Sequence, residues 1–74
     1  MQKFVCVVES DSSMGREYEV ASISAMKAAR EFGRCEMGEV VVVARKRTRE
    51  VLSKAMWKPG IGYCQVTVLP GQYV

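Results

Sequence analysis

Four cationic side chains fall within five residues, where the most apolar run of the chain ends. Arg45, Lys46, Arg47 and Arg49 come almost directly after the stretch "EVVVV" of residues 39–43. Because clustered like charges repel one another, this density favours recognition of a negative group, such as a phosphate or an acidic protein surface. The alternative is that charges at a strand end keep a small domain soluble and discourage edge-to-edge pairing.

Further candidates for a binding site lie downstream of this segment. Lys54 and Lys58 extend the positive charge, and Trp57 and Tyr63 lie near it in sequence. An aromatic ring beside arginines can stack on a base or anchor a protein interface, although both rings also fit the packing of a sheet. The partner-binding residues predicted from the sequence are Arg45, Lys46, Arg47, Arg49, Lys54, Trp57, Lys58 and Tyr63.

The charges are distributed unevenly along the chain. Residues 1–38 hold five Lys or Arg and six Asp or Glu, whereas residues 39–74 hold six and two, so the net charge of +3 comes from the second half. There is no glycine-rich phosphate loop, zinc-finger spacing or aromatic pair typical of RNA-binding strands. If nucleic acid binds, we therefore expect salt-sensitive contacts to the backbone with little reading of sequence.

Groups that would support catalysis or a metal site are missing from the sequence. The chain has no histidine, the usual general base near neutral pH. Its three cysteines, Cys6, Cys35 and Cys64, are odd in number and far apart, which predicts reduced core thiols rather than disulfides or a zinc site. Glu17 and Glu19 read as surface acids. We expect no enzyme activity and no cofactor.

Length and apolar content limit the class of protein. Seventy-four residues, nearly half of them apolar, predict one domain with a single modest core. The longest apolar runs, 4–8 and 40–44, fall far short of the roughly 20 residues that cross a bilayer. The apolar stretch near the start is also shorter than the core of a signal peptide. These features predict a cytoplasmic protein with no membrane segment.

The pattern of apolar residues predicts an α+β domain with a mainly antiparallel sheet packed on one helix. In the first strand, Phe4, Cys6 and Val8 should face one side while Val5 and Val7 face the other. Ser22 or Ser24 can cap the helix. The predicted strands span about 3–9, 16–21, 39–45 and 62–69, the helix spans about 23–36, a turn spans 10–15, and residues 72–74 are expected to fray.

Two parts of this layout remain open. The unbroken valines of 40–43 predict apolar surroundings on both faces, yet one helix covers only one. The other face needs a later element, a second copy of the chain as in a homodimer, or a partner. Residues 50–58 form either a further strand or a short second helix. Periodicity slightly favours the helix, with Thr48 as its cap.

The run "REYEVASISAMKAAREFG", followed by "GEVVVVA", has a recognisable layout. A strand ending in "VA", a serine-capped alanine-rich helix and then an apolar strand resembles small phage-encoded anti-CRISPR proteins, notably inhibitors of type I systems. The resemblance covers about residues 3–44 and is one of pattern and size. It implies a compact sheet on one helix, which would make 50–58 a strand in a meander.

In function, the resemblance implies a non-enzymatic inhibitor that binds a CRISPR surveillance complex or its nuclease and blocks target DNA binding or cleavage. The positive charge of this chain departs from the acidic members that imitate DNA. A basic inhibitor would sit on an acidic protein patch or compete for nucleic acid. The rival interpretation from the residues is a small module that contacts phosphates through Arg45, Lys46, Arg47 and Arg49.

Overall fold

The computed structural model describes residues 1–9, 17–33 and 39–74. The elements within these ranges are β1 (Gln2–Val8), β2 (Tyr18–Ser22), α1 (Ala25–Gly33), β3 (Val40–Arg45), β4 (Val51–Lys58) and β5 (Gly62–Val66). The strands form one antiparallel sheet in the order β2-β1-β3-β4-β5. The predicted α+β class is therefore confirmed. The described part of the chain contains no helix that is long and apolar enough to span a bilayer.

The alternation of side chains in β1 gives the sheet its two apolar faces. Phe4 and Cys6 share a face of the sheet, as predicted, and belong to the cluster that packs under α1 together with Val41 and Val43 of β3. Cross-strand partners share a face, and Val5 pairs with Ala44, so it lies on the opposite side. The valine-rich β1 and β3 lie next to each other in the sheet because both have two faces to bury.

Small residues let α1 lie close to the sheet. Ala28 and Ala29 are fully buried, and Ala25 and Phe32 pack partly against the same cluster, as the helical spacing predicts. Ser24 is the cap: its Oγ accepts a hydrogen bond from the backbone N–H of Lys27 at 3.1 Å. The helix contacts β1 to β4 and covers one face of the sheet.

The C-terminal segment covers part of the other face, which we call the second face. Val68 packs against Val42, Ala44 and Val51 there. The chain then returns to the start of β4, where the backbone N–H of Val51 donates to the carbonyl of Gln72 at 2.9 Å. A later element thus supplies cover for the second valine face. Residues 72–74 were expected to fray, which is wrong because backbone hydrogen bonds pair them with 49–51.

The second helix favoured by periodicity over 50–58 is also wrong. Val51–Lys58 is a strand, because pairing with β3 on one side and β5 on the other outweighs the helical spacing of its apolar residues. The pairing of β3 with β4 shifts its register between Val43 and Ala44: Val43 pairs with Ser53, but Ala44 pairs with Val51. Val51 and Ser53 therefore lie on opposite faces of the sheet, and Val51 lies on the second face. Thr48 does not cap a helix: its Oγ1 accepts from the backbone N–H of Glu50 at 3.3 Å in the turn.

Other predicted boundaries shift by a few residues. The helix begins at Ala25 rather than at 23, and the last strand ends at Val66 because 67–69 leave the sheet towards the second face. The second strand continues to Ser22, one residue beyond the predicted 21. The predicted turn at 10–15, the first residue of the second strand and the end of the helix at 34–36 lie outside the described residues.

Candidate partner-binding site

The turn between β3 and β4 holds the cationic segment in a fixed shape. The backbone N–H of Arg45 donates to the carbonyl of Glu50 at 3.0 Å, and the N–H of Arg49 donates to the carbonyl of Arg45 at 2.9 Å. Arg49 has a backbone φ of 69°, which residues other than glycine rarely adopt. The turn keeps this conformation because contacts of the Arg49 side chain, described below, hold it in place.

The start of β1 and the end of β3 enclose a basic groove of about 630 Å³. The register pairs Phe4 with Arg45, so Lys3 lies beside the turn. Cations therefore line the groove from both strands. The described residues that line the basic groove are Met1, Gln2, Lys3, Arg45, Lys46 and Arg47.

Two carboxylates hold three of the groove's cations in place. Glu19 of β2 lies 2.8 Å from Lys46 Nζ and 3.6 Å from Lys3 Nζ, and Glu50 lies 3.7 Å from Arg45 Nε. The hydrogen bond from Lys46 lowers the pKa of Glu19 below its usual value, with further contributions from the charges of Lys46 and Lys3. These side chains are about half exposed, so they can still contact a partner.

Arg47 is the exception in the groove. Its side chain is exposed, and it has no ion-pair partner among the residues that the structure describes. Among the described residues, four cations and the two carboxylates that pair with them give the groove a net charge of about +2. Arg47 is therefore the cation most available to a partner.

Arg49 belongs to the fold rather than to the groove. Its guanidinium donates to both carboxylate oxygens of Glu17, one bond measuring 2.7 Å, and its Nε donates to the carbonyl of Val74 at 3.2 Å. The hydrogen bond from Arg49 lowers the pKa of Glu17, and the same bond raises the pKa of Arg49. Arg49 thus joins the turn, the start of β2 and the C-terminal segment.

Lys54 also lies away from the groove. It pairs with Val42 across the second face, and its Nζ lies 3.2 Å from Glu9 Oε2. Only 13% of its side chain is exposed. Because the aliphatic part of Lys54 is buried and its ammonium is paired with a carboxylate, little of this side chain is available to contact a partner.

The aromatic candidates and Lys58 lie at the opposite end of β4 from the turn. Trp57 and Tyr63 are cross-strand partners, so the structure brings these two rings together. Tyr63 packs partly against the core, and the guanidinium of Arg30 lies 5.8 Å from its ring centre. Burial raises the pKa of Tyr63. Although Trp57 and Tyr63 are near the cationic segment in sequence, antiparallel pairing places them at the far end of the sheet from Arg45 to Arg49.

Sequence reasoning missed Lys3, Glu19 and Glu50 as parts of the site. The pairing of β1 with β3 brings Lys3 beside the turn, and a sequence without a strand order does not contain that information. The alternation of Glu17 and Glu19 indicated that one face of β2 is exposed to solvent. It did not show that these glutamates contact the cationic segment. The acids of the first half thereby neutralise much of the basic second half.

Other kinds of site have little support in the described ranges, where no group of three or more acidic, cysteine or histidine side chains could hold a metal ion. Cys6 is buried and Cys64 half-buried, whereas Cys35 lies outside those ranges. Comparison with known protein families, with curated proteins and with solved structures found no match in any of the three.

Proposed function

We propose that this protein is a non-enzymatic inhibitor of phage type, which docks through the basic groove on a larger host protein or ribonucleoprotein. The observation that carries this proposal is the groove itself. Its cations come from two strands, carboxylates fix three of them, and Arg47 adds an exposed charge with no ion pair among the described residues. Fixed cations lose less conformational freedom when a partner binds.

The more specific form of the proposal names a CRISPR surveillance complex or its nuclease as the partner. Its support is the resemblance of residues 3–44 to small anti-CRISPR proteins. That resemblance implies a sheet on one helix with a strand at 50–58, and the fold has both features. The protein would act in the cytoplasm of the bacterial host, where it would block target DNA binding or cleavage.

A role in binding rather than catalysis is consistent with the chemistry of the groove. The described residues of its lining are cations, Gln2 and Met1, with no carboxylate pair among them, and the chain has no histidine. Positive charge without a general base suits docking. The exposed cations also speed the encounter with a negative surface, so binding should slow as salt is raised.

Capture from host lysate tests the proposal. Tagged protein should retain a stoichiometric host complex at moderate salt, and expression in a host with type I CRISPR immunity should restore plaque formation by a targeted phage. Arg47→Glu should abolish both effects because it reverses the unpaired charge of the groove. Lys58→Glu is the matched control, since Lys58 is exposed, lacks an ion pair within the described ranges and lies at the other end of the sheet.

The outcomes separate the two levels of the proposal. Capture of a different host complex, with immunity intact, would overturn the CRISPR assignment and leave the docking role standing. Retention of no stoichiometric partner, together with intact immunity, would contradict the inhibitor proposal as a whole. Equal loss of capture in Arg47→Glu and Lys58→Glu would show that general charge, rather than the groove, is responsible.

A further inference from the structure

We propose that the basic groove takes the phosphate backbone of a nucleic-acid duplex. This inference rests on the proposed function, because it names what the same groove contacts in the host complex. It starts from the placement of the cations. Lys3 stands on the β1 side, and Arg45, Lys46 and Arg47 stand on the β3 side, so an anion in the groove meets donors from two directions.

The ion pairs in the groove leave donors free for phosphate. An ammonium has three N–H groups and a guanidinium has five. Glu19 is shared between Lys3 and Lys46, while Glu50 lies against Nε of Arg45, so the terminal nitrogens of Arg45 are not used in that pair. A guanidinium can donate two parallel hydrogen bonds to one phosphate. Arg45 and Arg47 can both bind in this way.

The net charge of about +2 matches a short stretch of backbone, in which each phosphodiester carries one negative charge. Two neighbouring phosphates would neutralise the groove. The carboxylates at its edge would repel a more densely charged ligand. The shared Glu19 thus limits the groove to a few phosphates while it keeps Lys3 and Lys46 in position.

The absence of aromatic rings from the described lining of the groove favours a duplex over a single strand. No aromatic residue is among the six described residues that line the groove, and Trp57 and Tyr63 lie at the other end of β4. Proteins that hold single strands stack bases on aromatic side chains. A duplex hides its bases and presents its phosphates, which is what this groove can contact.

Salt dependence of duplex binding tests the inference. The probe is a fluorescein-labelled DNA duplex of about 20 base pairs, titrated at several salt concentrations between about 50 and 200 mM. Two neutralised phosphates predict a slope of log K against log salt of about −1.8. Arg47→Ala should reduce the magnitude of that slope by about 0.9, whatever the base sequence. Lys58→Ala should leave it unchanged.

Three results would overturn the inference: affinity that does not change with salt, equal loss in Arg47→Ala and Lys58→Ala, or tighter binding of the corresponding single strand. The proposed function fails separately. If the protein captures its host complex after nuclease treatment but binds no duplex, the inference falls and the inhibitor proposal stands. If it binds duplex with the expected slope but captures no host complex, the inference stands and the inhibitor proposal falls.

Discussion

Arg49 and Glu17 lie 32 positions apart in sequence, yet the guanidinium of one donates to both carboxylate oxygens of the other. The pair joins the turn after β3 to the start of β2. It also joins the basic half of the chain to the acidic half. A cation from the segment that first indicated a binding site is thereby used to hold the fold together.

Substitution of Arg49 should therefore lower stability rather than only weaken binding. Arg49→Ala removes the side-chain hydrogen bonds to Glu17 and to the carbonyl of Val74, while it leaves a residue with a Cβ at a φ of 69°. Arg49→Gly loses the same bonds but adopts that φ readily, so it should be less destabilised than Arg49→Ala. Urea unfolding measures both variants.

Arg47→Ala is the control for this comparison and should unfold like the wild type, because Arg47 has no ion pair with the described residues. In a double-mutant cycle, Glu17→Gln combined with Arg49→Ala should cost less than the sum of the two single changes. Additive losses would mean that the two side chains do not interact in solution.

Stability should depend on pH in the acid range. Hydrogen bonds from Arg49 and Lys46 lower the pKa of Glu17 and Glu19 below the ordinary 4.5. A group whose pKa is lower in the folded state contributes stability above its unfolded pKa, and loses it as pH falls through the folded pKa. The melting temperature of the wild type should thus fall as the pH drops below about 4.5.

The variant with Glu17→Gln and Glu19→Gln should show a shallower fall over the same pH range. Added salt should reduce the difference, because these carboxylates are exposed and their interactions are screened. Parallel curves for wild type and variant at low salt would contradict this assignment of the acid sensitivity.

The core under α1 depends on Phe4. Its side chain is 1% exposed and packs with Cys6, Val41 and Val43. Phe4→Ala should reduce the free energy of unfolding by about 3 to 5 kcal/mol, since it removes apolar contacts and leaves a cavity. Ile61→Ala, at a residue that is 75% exposed, should change it by less than about 0.5 kcal/mol. Similar effects of the two substitutions would contradict the burial of Phe4.

Thiol reactivity reports on the same core. Burial raises the pKa of Cys6 to about 12, so almost none of this thiol is ionised near neutral pH. Variants that retain only one cysteine should differ: with Cys6 alone, Ellman's reagent should react only after denaturant is added. With Cys64 alone, the half-buried thiol should react faster in the native protein. Rapid labelling of native Cys6 would mean that the sheet opens there.

The alternation of apolar residues was sufficient to predict most of the fold. Phe4, Cys6, Ala28 and Ala29 lie in the core that their spacing indicated. The secondary structure of residues 51–58 could not be predicted from their own pattern, because their apolar residues fit both the helical and the strand period. Pairing with β3 and β5 makes this segment a strand. Such pairing depends on distant parts of the chain.

The candidate site was harder to predict, because the order of charged residues along the sequence does not show which of them lie close together in the folded protein. Lys46, Arg49 and Lys54 all form ion pairs with glutamates from the first half of the chain. The sequence identified the segment but not which of its cations remain available. The strand order brings acids beside Lys46 and Arg49 but leaves Arg47 without an ion pair among the described residues. It also places Trp57 at the other end of the sheet.

The central claim is that contact with a partner occurs at the basic groove. Hydrogen exchange of the protein, alone and bound to its captured host complex, tests this claim directly through the protection of backbone amides. We predict that protection on binding is concentrated in the peptides covering residues 2–4 and 45–48. Protection at residues 57–63, with none at 45–48, would contradict the claim.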